Sequence, residues 1–296
     1  MAIVLTGAGG FLGKEILAQA SKLDIVAVSG QDLSSVFCGK VLDRNMFFSE
    51  YKFSSSDVLI NCAFPRNTDG VQMADGLEFT ARLFRKAADE GAGAVINISS
   101  QSVYSQKRME SADEKTQLNL ESGYAIGKYA TELLLDAICC GKIPNTNIRM
   151  ASLVGIGFEQ RLVNKLVRQA LKNKKINIYE GRQQFGLLDV RDAASAILLI
   201  ADSDSRNWYR VYNLGTDRVY TLREIAKIVQ DVVEKETNTR IFVTSEKRDD
   251  VVNSGIDAEL FFHSFQWKPQ FTLQDTVRDI YKHIQAFEKM GGVIYP

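Results

Sequence analysis

A glycine triad near the start of the chain narrows the choice of fold more than any other feature. Thr6-Gly7-Ala8-Gly9-Gly10-Phe11-Leu12-Gly13 places glycines at 7, 10 and 13 directly after the apolar run Ile3-Val4-Leu5. A short apolar run closed by glycines reads as a buried strand. The stretch 11–23 follows with apolar residues at Leu12, Ile16, Ala20 and Leu23, close to helical spacing. In such a strand–turn–helix unit the first glycine permits the tight turn. The second lets backbone approach a pyrophosphate, and the third allows close helix–strand packing. The helix start then offers free amides and the positive end of its dipole to the phosphates. The loop is not a P-loop. That motif needs a glycine five residues ahead of its Gly-Lys pair and a hydroxyl residue just after it. Around Gly13-Lys14 those positions hold Ala8 and Glu15.

The rest of the first half repeats the unit. Ile25-Val26-Ala27-Val28, Lys40-Val41-Leu42, Asp57-Val58-Leu59-Ile60-Asn61, Ala94-Val95-Ile96-Asn97-Ile98 and Asn147-Ile148-Arg149-Met150 read as strands. Helices are expected around Leu77, Ala81, Phe84 and Ala88, and over 124–138. Runs apolar throughout and separated by helices indicate a parallel sheet covered on both faces, the doubly wound α/β class of Rossmann type. Downstream, 162–171 looks helical, and Thr221-Leu222-Arg223-Glu224 is a capping box before Ile225, Ile228, Val229, Val232 and Val233. Ile241-Phe242-Val243 reads as a strand and 272–287 as a last helix. We expect a dinucleotide-binding domain over 1–155, completed by 187–216. A smaller substrate lobe would take 156–186 and 217–296.

Composition excludes several functions. The 296 residues carry 36 Lys+Arg against 36 Asp+Glu, so bulk attraction to a nucleic acid is absent. The apolar stretch 193–201 is far too short for a bilayer, and the N-terminus has no signal-peptide pattern. We therefore expect no nucleic-acid or membrane partner. Cys38, Cys62, Cys139 and Cys140 form no C-x-x-C pair, which fits a reducing cytoplasm. His263 and His283 lie far downstream, so neither a metal site nor a Ser-His-Asp triad is expected.

The second strand ends Val28-Ser29-Gly30-Gln31-Asp32. Ser29 stands where an acid would bond the adenosine ribose and select NAD. NADP is thus permitted, yet no arginine or lysine lies between Ser29 and Lys40 to hold its 2′-phosphate. The chemistry points to Tyr124-x-x-x-Lys128, whose members share a helix face. An ammonium beside a phenol favours the phenolate, whose acid otherwise titrates near about 10. Upstream, Ser99-Ser100-Gln101-Ser102-Val103-Tyr104 leaves a strand's carboxyl end, where ligands sit in open α/β sheets.

These segments, with Val211-Tyr212-Asn213-Leu214-Gly215, Arg248-x-Asp250-Val251 and Trp267-Lys268-Pro269 in order, resemble the extended short-chain dehydrogenase/reductase family, in its nucleotide-sugar epimerase/dehydratase branch. The resemblance covers nearly the whole chain. It implies Tyr124 as acid/base, Lys128 as its tuner and holder of the nicotinamide ribose, and Ser100 as the catalytic serine. It puts Gly7, Gly10, Phe11, Leu12 and Gly13 on the pyrophosphate, Ser29 and Asp43 at the adenosine end, and Cys62, Ala63 and Phe64 along the cofactor. Arg248 would grip the diphosphate of a nucleotide-sugar substrate. A homodimer built from helices 77–88 and 124–138 is also implied.

Several positions depart from the pattern. Val154-Gly155, Ser152, Asp189 and Phe185-Gly186 replace frequent Tyr-Gly-Pro, Asn, His and Arg-Asp. Gln101 and Ser102 replace the Asp and Glu that eliminate water in the branch's dehydratases, so dehydration is disfavoured. The expected activity is a 4-epimerase using NAD or NADP. The alternatives are an NADPH-dependent 4-keto reductase, a reductase of a non-sugar carbonyl and a non-catalytic dinucleotide sensor.

Overall fold

The computed structural model describes residues 1–65, 69–249 and 251–290. Its first elements are β1 (Ile3–Thr6), α1 (Phe11–Gln19), β2 (Ile25–Val28), β3 (Lys40–Leu42) and α2 (Arg44–Glu50). Then come β4 (Val58–Asn61), α3 (Gly70–Asp89), β5 (Ala94–Ser100), α4 (Gly123–Cys139) and β6 (Asn145–Met150). The chain continues with β7 (Ser152–Val154), α5 (Leu162–Asn173), β8 (Lys175–Glu180), β9 (Gln184–Asp189) and α6 (Val190–Ala201). It closes with β10 (Val211–Leu214), β11 (Val219–Thr221), α7 (Leu222–Thr237), β12 (Phe242–Lys247), α8 (Glu259–Phe265) and α9 (Leu273–Lys289).

The expected doubly wound architecture is present. A seven-stranded parallel sheet runs β10-β6-β5-β4-β1-β2-β3. Strand order reverses between β1 and β4, and that switch point opens the crevice in which such folds bind ligands. Alternate residues of each strand bury on opposite faces. Leu5, Ile60, Ile96 and Ile148 join one core with α1 and α6, while Val4, Leu59 and Val95 join another with α3 and α4. A third core unites α5, α7 and α9 through Val167, Val229, Val233, Val277 and Ile280. Two small sheets, β11-β9-β7 and β12-β8, flank it. Segment 259–267, assigned above to the small lobe, packs Phe261 and Trp267 into the core of the large sheet, beside Tyr212 of β10.

One row of polar side chains crosses this apolar sheet. Thr6, Asn61, Asn97 and Asn147 are register partners on β1, β4, β5 and β6. Thr6 Oγ1 donates to Asn61 Oδ1 (2.7 Å), Asn61 Nδ2 to Asn97 Oδ1 (3.0 Å), and Asn97 Nδ2 to Asn147 Oδ1 (2.8 Å). Asn97 Nδ2 also reaches Thr131 Oγ1 (3.0 Å), which donates to the carbonyl of Lys128 (2.8 Å). Buried polar groups are tolerable only when bonded, and here the bonds tie α4 to the sheet at one register.

Some boundaries differ from the sequence reading. Helix α1 ends at Gln19 rather than 23, because the chain turns at Ala20 and leaves Leu23 47% exposed. The stretch 193–201 lies within α6, which turns Ala193, Ala194, Ala196, Ile197 and Ile200 into the core and leaves Leu199 39% exposed. Among the described residues, no helix is long and apolar enough to cross a membrane.

Candidate active site

The glycine loop follows from steric necessity. Gly7 adopts φ +68°, and a Cβ there would lie 2.7 Å from Ala63 N. A Cβ on Gly13 would lie 2.3 Å from Gly7 O, so any side chain would push α1 off the loop. The result is a bare backbone cradle at the start of α1, the shape a pyrophosphate needs.

The cradle forms one wall of a cleft of about 470 Å³. Gly7, Gly10, Phe11, Leu12 and Gly13 line it together with Cys62, Phe64, Ser100, Tyr124 and Lys128. Ser122 caps α4 by accepting from Ala125 N (3.1 Å), which starts the helix one residue before Tyr124. The i, i+4 spacing then brings Lys128 Nζ to 5.9 Å from the Tyr124 ring centroid. Lys128 is buried, and its ammonium donates to Ile98 O (2.7 Å). Burial pulls the lysine down to about 8 from an ordinary 10.5, partly offset by Cys62 and Glu132. Burial likewise pushes the Cys62 thiol up to about 12, against the opposing charge of Lys128.

The two serines of the strand end separate cleanly. Ser99 is buried and donates to Glu132 Oε1 (2.5 Å). Ser100 Oγ accepts from Ser102 N (3.1 Å) and from the Ser102 hydroxyl (3.0 Å). Both of those bonds use Ser100 as acceptor, so its own O–H remains to be donated into the cleft.

Behind Ser99, Glu132 of α4 takes a fork of bonds from Arg149 of β6, at 2.7 Å from Nη2 and 3.1 Å from Nε. Both side chains are below 8% exposed, at 7% and 5%. Burial lowers the Arg149 guanidinium, but the bonds and charge of Glu132 outweigh it and hold the cation above its ordinary range. Arg149 Nη1 also donates to the Tyr104 hydroxyl (3.0 Å), which donates to Asn213 Oδ1 (2.8 Å). The network anchors α4, and with it Tyr124 and Lys128, to β5, β6 and β10. By strand spacing Arg149 is only one residue of an apolar run. The signal was present as an unpaired arginine in a buried strand, with a glutamate four residues after Lys128.

Other expected residues lie apart. Ser29 sits beside the loop, its Oγ 3.2 Å from where a Gly9 Cβ would stand, and accepts from Gln31 N (2.9 Å). Asp43 caps α2 by accepting from Met46 N (2.8 Å). Ala63 lines a neighbouring cavity of about 330 Å³ with Arg44 and Phe79. Arg248 stacks on Tyr179 at 3.6 Å, at the end of β12, and is not among the residues lining the cleft. Its motif partner Asp250 lies outside the described residues. Asp189, at a position often held by histidine in the resembled branch, caps α6 and binds Arg191 and Thr276, so it serves the structure. The arginine that does line the cleft is Arg161, at the start of α5, held 4.7 Å over the Phe158 ring. The sequence reading did not single it out.

The family model described as "NAD dependent epimerase/dehydratase family" matches residues 3–215. No curated protein sequence matches the chain. Among solved structures, UDP-N-acetylglucosamine 4-epimerase from Bacillus cereus superposes with a TM-score of 0.82 at 16% identity, covering 100% of this chain and 99% of that one. UDP-glucuronic acid 4-epimerase from Bacillus cereus gives 0.81 at 17%, covering 97% and 100%. A UDP-N-acetylglucosamine 4-epimerase from Methanobrevibacter ruminantium gives 0.79 at 18%, covering 96% and 98%. At such identities the superpositions speak to the fold; the family model, matching well over half of the chain, speaks to descent. The chain belongs to the NAD dependent epimerase/dehydratase family and is an NAD-dependent enzyme of the extended short-chain dehydrogenase/reductase type.

Proposed function

We propose that the protein epimerises a nucleotide-activated sugar at C4, removing a hydride and returning it to the opposite face. One observation carries the reading. Among the described residues, the cleft that joins the glycine cradle to Ser100, Tyr124 and Lys128 is lined by two cations, Lys128 and Arg161, and by no carboxylate. Such a lining suits two diphosphates, one of a dinucleotide and one of a nucleotide sugar. The solved structures of similar fold named above are 4-epimerases of UDP sugars, which supports the choice of substrate class.

In this reading Tyr124 moves the proton at the sugar's O4. Ser100 donates its hydroxyl hydrogen to that same oxygen and fixes its place. Lys128 supplies positive charge next to the phenol and binds the nicotinamide ribose. A bound nicotinamide supplies the hydride acceptor and donor. We assign the grip on the sugar's diphosphate, by charge-assisted bonds, to Arg161, with Arg248 at the end of β12 as the second candidate. The cofactor-contacting set is Gly7, Gly10, Phe11, Leu12, Gly13, Ser29, Asp43, Cys62, Ala63 and Phe64. The large domain spans 1–155 with 187–216 and takes in segment 259–267, and the reaction takes place in a reducing cytoplasm.

A second reading, a 4-keto reductase with exchangeable NADPH, is favoured by Ser29 in place of an acid. Mass spectrometry of the cofactor released from purified protein decides between them. Retained NAD is the expected result; an empty site that prefers added NADPH would overturn the epimerase.

We also propose a homodimer in which α3 and α4 of two copies pack as a four-helix bundle. Ile126 and Leu133 on α4 are 47% and 50% exposed, and Val71 on α3 is 73% exposed. Covering such residues favours association. Sedimentation equilibrium is expected to give twice 33.0 kDa; a species of 33.0 kDa alone would contradict it.

A further inference from the structure

Two helix glycines next to the cleft have a common cause. A Cβ on Gly127, between Tyr124 and Lys128, would lie 2.5 Å from Phe64 Cζ and 3.2 Å from Met73 Sδ. A Cβ on Gly76 of α3 would lie 2.6 Å from Pro65 Cδ. A glycine inside a helix costs roughly 1 kcal/mol against alanine, so each is an expense for which the Phe64-Pro65 segment is the visible reason. The segment is wedged between α3 and α4, with the Phe64 ring seated on Gly127.

From that seat the ring reaches both reactive groups. Its centroid lies 4.8 Å from Lys128 Nζ and 5.9 Å from the Tyr124 ring centroid, edge-on at 73°. Phe64 also lines both the cleft and the neighbouring cavity, so it is the partition between them. We propose that Phe64 is a positioning residue of the active site: seated on Gly127, its ring walls the Lys128 ammonium off from water and braces the Tyr124 ring. This rests on the reading of Tyr124 and Lys128 given above.

The ring has two opposed effects on Lys128. Its face attracts the cation, and its bulk excludes water. Burial as a whole outweighs attraction at this lysine, which sits at about 8 rather than 10.5, and the ring 4.8 Å from Nζ is one wall of that burial. The other groups facing the ammonium are the Cys62 thiol at the end of β4, and Tyr124 and Glu132 on α4, the last paired with Arg149 of β6. Loop 7–13 carries no titratable side chain.

The test is a titration of the Lys128 ε-carbon by NMR in lysine-labelled full-length protein, with the pH profile of turnover beside it. Phe64→Ala is expected to raise the Lys128 midpoint by about one pH unit or more, because water reaches the ammonium. Gly127→Ala displaces the ring and is expected to move the midpoint the same way. Phe64→Leu keeps apolar bulk in the seat and is expected to hold the midpoint close to that of the parent protein. Unchanged midpoints in both Phe64→Ala and Gly127→Ala would overturn the proposal. The same holds if Phe64→Leu shifts the midpoint as far as Phe64→Ala does. The two readings fail separately. Turnover surviving in Tyr124→Phe would sink the catalytic assignment, whereas unmoved midpoints with that variant inactive would sink only the role of Phe64.

Discussion

Replacing Tyr124 with Phe is expected to lower turnover of nucleotide sugars by about 10²- to 10⁴-fold, the span that a positioned acid/base contributes. Cofactor binding is expected to persist. The substitution removes one oxygen and keeps the ring, so the edge-on contact with Phe64 and the seat at the start of α4 remain. The Ser122 cap uses backbone of Ala125 and is untouched. Lys128 keeps its bond to Ile98 O and its burial. The measurement pairs steady-state turnover with quantification of bound cofactor in the same preparation. Turnover near the parent level would remove Tyr124 from the mechanism. Loss of cofactor together with activity would point instead to a collapsed cleft.

The second large effect falls on stability. Arg149→Met is expected to cost about 3–5 kcal/mol, because it strands Glu132 as a buried charge with Ser99 as its remaining hydrogen-bond donor. Met fills the space of the arginine stem, so lost volume contributes little. The double variant Arg149→Met with Glu132→Leu is expected to recover much of that loss, since an apolar pair of similar size replaces the ion pair. Denaturant unfolding of the parent, both singles and the double supplies the cycle. A single-variant loss below about 1 kcal/mol would show that water or a rearranged partner satisfies Glu132. The pair anchors the helix that carries Tyr124 and Lys128, so milder substitutions there should lower turnover before they unfold the chain.

What the chain itself declares is local and periodic. The triad Gly7, Gly10 and Gly13 demands a tight turn and a close helix, and it has both. Apolar runs that alternate with helices demand a parallel sheet covered twice, and the seven strands supply it. Tyr124 and Lys128 must share a face at i and i+4, whatever the surroundings. Thr221 and Glu224 build their capping box from neighbours three residues apart. The Tyr124–Lys128 pair and the capping box depend on contacts within one or two turns, and the glycine turn and the sheet class show as a pattern along the chain, so spacing suffices to read them.

What only the tertiary structure decided involves partners far apart in sequence. Asn61, Asn97 and Asn147 look like interruptions in apolar strands until the register sets them side by side. Glu132 and Arg149 look like a surface glutamate and a misplaced arginine until α4 folds over β5 and β6. Arg248 matches a motif by order, yet its guanidinium lies on Tyr179, while Arg161, marked by no motif, lines the cleft. Gly127 reads as a weak helix residue until Phe64, distant in the chain, takes the room its missing Cβ leaves. The physical reason is the same throughout. Spacing sets which side chains share a face, but the burial of a charge, and the clash a Cβ would make, depend on what another segment brings to that face.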